Sequence, residues 1–387
     1  MVRSTLLRLA DCAVLLPLAG CEWLTGDDGD PPPRFASVTT GYAHSCALTT
    51  DGEAYCWGMN VGGELGVGAT DSVPVTEPRR VTGGLRFRSL HAGSYGTCGV
   101  GVDGALFCWG RGSSGPAAAF PETRFASLSP HLHNHVCGAT TSQTVYCWGT
   151  NESGVTAFGP GEAPAPGATG FAQVSVGAYR SGLGGSRGFD WMGHVCGVKG
   201  NGAAYCWGDN SFGQLGIAGN VRETRVPTAV AGGLSFRSVH AGMESTCGLD
   251  TGGALYCWGR ELAGTPQRLG AGLQFESMDL GSRHGCALTA AGQAFCWGRN
   301  ASGQLGTGTL SNSAEPQSVQ GSVRFTAISA SGYSGHEAFE TLQAHTCGVG
   351  TDHRIYCWGS NDYGQLGNRS SPGNTVPVRV ADPRRGS

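Results

Sequence analysis

Fourteen of the chain's sixteen cysteines form seven pairs of one spacing: Cys46 with Cys56, Cys98 with Cys108, Cys137 with Cys147, Cys196 with Cys206, Cys247 with Cys257, Cys286 with Cys296, and Cys347 with Cys357. The second member of every pair opens a Cys-Trp-Gly triplet. Successive second cysteines lie 52, 39, 59, 51, 39 and 61 residues apart. A period near 50 residues falls in the range of propeller blades and away from helical solenoid repeats. The series of intervals also repeats after three steps, which points to a duplicated three-unit block with a seventh unit added.

Each unit opens on an aromatic residue: Phe35, Phe87, Phe125, Phe171, Phe236, Phe275 or Phe325. In the first unit His44–Leu48 and Ala54–Trp57 alternate with period two around Thr50-Asp51-Gly52, the pattern of a β-hairpin. A loop with Gly52 in the left-handed position sets Thr49 opposite Glu53, and counting back puts Cys46 opposite Cys56. That is a non-hydrogen-bonded pair, with Cα atoms about 4.5 Å apart, near the short end of disulfide geometry. The same alternation places His44, Cys46 and Leu48 on one face and Tyr55 and Trp57 on the other. A neighbouring unit's rings are thereby offered to the disulfide. Zinc sites want short Cys-x2-Cys spacings, and none occurs. Seven intra-unit disulfides are therefore expected, with no metal and no cofactor. Each closes a short loop, contributing roughly 2 to 3 kcal/mol in the chain-entropy model.

After the tryptophan, units 1, 4, 6 and 7 continue with Asn60-Val-Gly-Gly63-Glu-Leu65-Gly66, Asn210-Ser-Phe-Gly213-Gln-Leu215-Gly216, Asn300-Ala-Ser-Gly303-Gln-Leu305-Gly306 and Asn361-Asp-Tyr-Gly364-Gln-Leu366-Gly367. Together with the Gly-x-x-His before the first cysteine, this resembles the regulator of chromosome condensation repeat family from about Arg34 to Val380. The resemblance implies an all-β fold, a seven-bladed β-propeller with one disulfide per blade. Units 2 and 5 lack the Asn-x-x-Gly-x-Leu-Gly turn and carry Gly96 and Ser245 in place of the histidine; unit 3 keeps Asn151 and Gly154 but loses Leu-Gly. These three blades are expected to be shorter or less regular on that edge.

The N-terminus reads as an export signal. Arg3 and Arg8 precede a short apolar stretch from Ala13 to Gly20, and Leu18-Ala19-Gly20-Cys21 resembles the bacterial lipobox. The expected organisation is a signal peptide over residues 1–20 and a lipidated tether over 21–33, starting at an acylated Cys21. The propeller follows over 34–382 and a short tail over 383–387. No later run approaches the roughly 18 apolar residues that span a bilayer. The expected location is outside the cytoplasm, lipid-anchored to the bacterial cell envelope at the outer membrane.

Basic residues number 25 and acidic residues 28, for a net charge of −3, so no electropositive field exists to gather nucleic acid. The resemblance to a chromatin exchange factor therefore does not carry over in function, since fold alone does not transfer it. Gly99-Val-Gly101-Val-Asp-Gly104 matches a phosphate-loop pattern but sits at a hairpin reversal and opens no helix. Gly332-Tyr-Ser334-Gly-His336 lacks the final glycine and the strand-to-helix setting of a nucleophile elbow. His44, His135, His194, His284 and His345 recur at one position of the unit, which is what a structural hydrogen-bonding role predicts. His131 and His133 alternate with His135 but lie in a turn.

The informative irregularity is the distance from the opening phenylalanine to the first cysteine. It is 11 or 12 residues in five units, but 25 in unit 4 and 22 in unit 7. Both insertions fall at the same turn, on the rim that also carries the Asn-x-x-Gly-x-Leu-Gly turns, because strands alternate in direction. Tyr179, Arg180, Arg187, Asp190 and Trp191 of the first insertion and Tyr333, His336 and Phe339 of the second are of the types that dominate binding hot spots. The expected function is non-catalytic binding, by a monomer, of a protein or glycan of the cell envelope. An inhibitor of a secreted enzyme is the alternative, and a hydrolase comes after it. Glycan binding predicts exposed Trp or Tyr platforms with nearby carboxylates on this rim, whereas inhibition needs a broad flat face.

Overall fold

The computed structural model describes residues 31–129, 135–149, 164–181, 190–331 and 344–384. These residues form twenty-eight strands in seven antiparallel sheets, each of four consecutive strands in chain order. In the first blade they are Phe35–Thr40, His44–Thr49, Ala54–Asn60 and Asp71–Arg80. The seven-bladed propeller implied by the repeat is thus the fold. Every blade is one continuous stretch of chain. The last blade meets the first through contacts of the kind used elsewhere: Phe35 N donates to His353 O at 3.0 Å, and Thr40 N to Ser329 Oγ at 3.2 Å.

The hairpin register follows from the turn. Thr49 N donates to Glu53 O at 2.9 Å, and Gly52 takes φ of 87°. Cys46 then lies directly opposite Cys56, and the same pairing recurs in all seven blades. Every expected disulfide is present. Cys46 is bonded to Cys56, Cys98 to Cys108, Cys137 to Cys147 and Cys196 to Cys206. In the last three blades Cys247 is bonded to Cys257, Cys286 to Cys296 and Cys347 to Cys357. Their Cα–Cα distances are 4.0 to 4.1 Å, somewhat closer than the spacing expected from an unlinked pair of this type.

Each junction between blades is a separate small core, and its composition explains why the unit needs both a disulfide and two rings. The disulfide of one blade is covered by the opening phenylalanine and the Cys-Trp-Gly tryptophan of the next. Cys46 and Cys56 pack with Phe87 and Trp109, and Cys196 and Cys206 with Phe236 and Trp258. Cys247 and Cys257 pack with Phe275 and Trp297, and Cys286 and Cys296 with Phe325 and Trp358. At closure Cys347 and Cys357 pack with Phe35 and Trp57. A single blade leaves both faces bare, so stability comes from the neighbours.

Polar fastening is unevenly distributed around the ring. At four junctions the repeat histidine reaches a hydroxyl in the next blade: His44–Thr97 at 2.9 Å, His194–Thr246 at 2.8 Å, His284–Thr346 at 3.0 Å and His345–Ser45 at 2.8 Å. Each hydroxyl in turn donates to a backbone carbonyl of the preceding blade's Asn-x-x-Gly-x-Leu-Gly turn, at Glu64, Gln214, Gln304 or Gln365. Trp258, Trp358 and Trp57 donate their Nε1–H to the same carbonyls. The asparagine holds each turn by accepting from the leucine N–H, as Asn60 does from Leu65 at 3.1 Å. The closing glycine is required there. Gly216 takes φ of 67°, and a Cβ on it would stand 2.7 Å from Trp258 Nε1.

The innermost strands repeat this selection. Thr39, Ser175, Asp279 and Ser329 each accept a backbone N–H of the following blade, from Ala92, Ala241, Ala330 and Thr40. The four junctions that carry the histidine latch, 1–2, 4–5, 6–7 and 7–1, also carry this inner belt. Among the described residues neither device occurs at junctions 2–3, 3–4 or 5–6. The sequence accounts for the missing latches: Val136, Val195 and Gly285 stand where the latched blades have a hydroxyl residue.

The expectation of irregular edges holds for the second and fifth blades. Residues 111–112 alone link the third and fourth strands of blade 2, and the fourth strand of blade 5 is only Gln267–Leu269.

Candidate functional site

The rim formed by the first-to-second and third-to-fourth strand turns carries three features. The first is the insertion of blade 4. Its strands Phe171–Ser181 and Asp190–Lys199 stay paired through Tyr179–Met192, Arg180–Trp191 and Ser181–Asp190, while the pairing with the third strand stops at Gly208 opposite His194. Much of what the sequence suggests to be a loop is therefore a two-stranded ribbon continuing the blade's register beyond its third strand. The ribbon places Arg180 opposite Trp191. The side chains of Tyr179, Arg180, Asp190 and Trp191 lie outside the described residues, as do Arg187, Tyr333, His336, Phe339 and Cys21 altogether.

The second feature is a row of tyrosines across blades 7, 1 and 2. Tyr42, in the first turn of blade 1, stands 6.5 Å from Tyr95 of blade 2 and 6.5 Å from Tyr363 of blade 7, the rings tilted by 55° and 49°. Tyr95 is 41% exposed, and the carboxylate of Asp362 beside Tyr363 is also exposed. Tyr42 and Tyr95 occupy equivalent turns, and Tyr363 comes from the Asn-x-x-Gly turn of the last blade. Ring closure brings them together.

The third is a cleft of about 310 Å³ between blades 5 and 6, at a junction without latch or belt. Blade 5 has no Asn-x-x-Gly-x-Leu-Gly turn to fill this space. The cleft is lined by Leu262, Leu269, Leu280 and Trp297 and edged by Glu244, Arg260, Arg283 and Arg299. Glu244 is buried yet held by two guanidinium groups, Arg260 at 2.6 Å and Arg283 at 3.3 Å. Arg260 also lies over the ring of Phe212 from blade 4, 4.9 Å from its centre.

The repeat histidines are structural where their side chains are described. Burial pushes His44 and His284 down to about 4 and His194 to about 3, so all three are neutral near pH 7. Toward the channel, Asp279 accepts from Ser329 Oγ and Ala330 N at 2.9 Å and faces His240 Nδ1 at 3.4 Å. Burial works against its charge, but these partners hold its carboxyl below the ordinary range.

Fold and rim together define a disulfide-stapled seven-bladed propeller with an elaborated edge. Profiles of the regulator of chromosome condensation (RCC1) repeat match residues 35–64, 51–100, 201–249, 275–304, 291–335 and 352–386. The chain belongs to the RCC1 repeat family. It is 26% identical over 228 residues to the ultraviolet-B receptor UVR8 of Arabidopsis thaliana, covering 58% of this chain and 41% of the receptor. It is also 26% identical over 363 residues to the human E3 ubiquitin-protein ligase HERC2, covering 89% of this chain and 6% of the ligase. The chain thus spans less than half the length of these curated relatives. Among solved structures, Prp20p of Saccharomyces cerevisiae superposes with a TM-score of 0.65 at 19% identity, covering 77% of this chain and 80% of that one. Human WBSCR16 gives a TM-score of 0.66 at 18% identity, covering 79% and 86%. At such identities these structures speak for the fold alone.

Proposed function

We propose that the protein is a non-catalytic binding module, held outside the cytoplasm by lipid on Cys21, that grips a macromolecule of the cell envelope with the elaborated rim. The observation that carries this reading is the row Tyr363–Tyr42–Tyr95, side chains of three blades with successive rings 6.5 Å apart. Tyrosine offers large apolar area at low entropy cost and is enriched at binding hot spots. Aromatic faces accept the C–H faces of sugar rings, and the exposed Asp362 carboxylate beside them accepts hydroxyl donors. A glycan is therefore the favoured partner. A protein partner is the second reading; Prp20p, which shares the fold, is described as binding Gsp1p and histones.

The test compares retention of the mature protein on isolated envelope polysaccharide with that of a Tyr42→Ala, Tyr95→Ala, Tyr363→Ala variant. Retention by the wild type and a loss of roughly tenfold or more in the variant are expected, the scale of a hot spot. Equal retention of both would contradict the reading, while capture of a protein that depends on the same tyrosines would move it to the second.

A further inference from the structure

The cleft between blades 5 and 6 is a consequence of a missing turn, and that turn has a chemical job elsewhere in the ring. At junctions 4–5, 6–7 and 7–1 its backbone carbonyl caps the indole N–H of the following blade, as Gln365 O caps Trp57 at 2.9 Å. Blade 5 supplies no such carbonyl to Trp297. This indole lines the cleft, is 5% exposed, and has no hydrogen bond to its Nε1 among the described residues. The ring is buried but its N–H is not sealed from solvent, so it can donate to an acceptor that enters the cleft.

The charges around the cleft specify what kind. Among the described residues three arginines face two glutamates, Glu244 and Glu261. Glu244 is shared between Arg260 and Arg283. Arg299 pairs with Glu261, at 3.7 Å, and both side chains are well exposed, 41% and 71%. An exposed pair at that distance is weak and easily exchanged. Arg299 is thus a cation available at the mouth, Trp297 a donor inside, and Leu262, Leu269 and Leu280 an apolar wall. The volume is at the small end of small-molecule pockets, about 300 Å³.

We propose that this cleft binds a small organic acid, a carboxylate carried on a flat apolar body, with the carboxylate between Trp297 Nε1 and Arg299 and the body against the leucines. This goes beyond the macromolecular reading and is tested on purified protein alone, so failure of one does not entail failure of the other.

The probes are naphthoate and its neutral isostere naphthamide, followed through the Trp297 indole N–H resonance, assigned by its disappearance in Trp297→Phe. Naphthoate should shift that resonance saturably and bind roughly tenfold or more tighter than naphthamide, the scale of a charge-assisted hydrogen bond. Arg299→Met, a substitution at an exposed position, should reduce naphthoate affinity to that of the amide while leaving amide binding and thermal stability unchanged. No saturable shift up to about 10 mM naphthoate, a limit of negligible affinity, would overturn the proposal. So would equal affinities for acid and amide, or an acid preference that survives Arg299→Met.

Discussion

His44 Nε2 and Thr97 Oγ1 meet across the first blade junction at 2.9 Å, and a third group fixes the direction of the bond. Thr97 Oγ1 donates to Glu64 O at 2.9 Å, so it accepts from His44, whose proton is therefore on Nε2. The relation links the Asn-x-x-Gly-x-Leu-Gly turn, the histidine and the next blade's hydroxyl into one unit. Removing either side chain leaves a buried polar partner, so His44→Ala and Thr97→Val should each lower stability by about 1 to 3 kcal/mol. Their effects should be non-additive by at least about 0.5 kcal/mol in a double-mutant cycle read by denaturant unfolding. Ser245→Ala, at the unlatched 5–6 junction, should cost less than about 0.5 kcal/mol. Strict additivity of the first pair would mean that the latch contributes nothing as a unit.

Stability should fall in acid for an identifiable reason. His44, His194 and His284 have folded pKa values pushed by burial to about 4, 3 and 4, below the ordinary value of 6.5. Between those limits the unfolded chain takes up protons that the folded chain refuses. Stability is thus fully present above about pH 6.5 and declines as pH falls toward about 4, with a slope of up to about 1.4 kcal/mol per pH unit for each histidine. Unfolding midpoints at about pH 5 and pH 7 should show the decline, and replacing His44 and His194 by Gln should flatten it. A midpoint that rises on this acidification would contradict the account.

The disulfides should be complete and individually worth keeping. Thiol counting on denatured, unreduced protein should find none of the fourteen paired cysteines free. Replacing Cys46 and Cys56 together by Ala should lower stability by about 2 to 3 kcal/mol from the lost crosslink, with a further loss where Phe87 and Trp109 no longer rest on sulfur. Bonds joining different blades in a peptide map would be incompatible with the observed register.

Anchoring is tested at Cys21. Fatty-acid labelling of the protein in cells should be present in the wild type and vanish in Cys21→Ser. A mature, unlipidated product retaining residues before Cys21 would remove the anchor from the account.

The blades were legible because the residues that build them act locally: Gly52 sets the turn, the turn sets the register, and the register sets Cys46 on Cys56. The ring packing also followed, since alternation alone puts Trp57 on the face opposite Cys46. The latch was half visible. The histidine periodicity marked a structural role, but its partner, the residue just before the next cysteine, becomes apparent only when adjacent blades are set side by side. The tyrosine row was not legible at all. Tyr42, Tyr95 and Tyr363 belong to two kinds of turn and to opposite ends of the chain, and nothing local links them. The cleft is harder still, because it arises from what blade 5 lacks, and an absent turn signals an irregular edge without saying that Trp297 and three arginines will surround the gap. The insertion of blade 4 suggested a loop, whereas the register continues upward through Arg180 opposite Trp191.

The central claim, that the elaborated rim is the binding surface, is tested most directly by crosslinking in the native envelope. A photoreactive phenylalanine is placed at Tyr95, on that rim, or at Val102, an exposed residue in the second-to-third strand turn of the same blade and hence on the opposite rim. The account predicts a discrete, light-dependent adduct from position 95 and none from position 102. An adduct from position 102 with none from position 95 would contradict it.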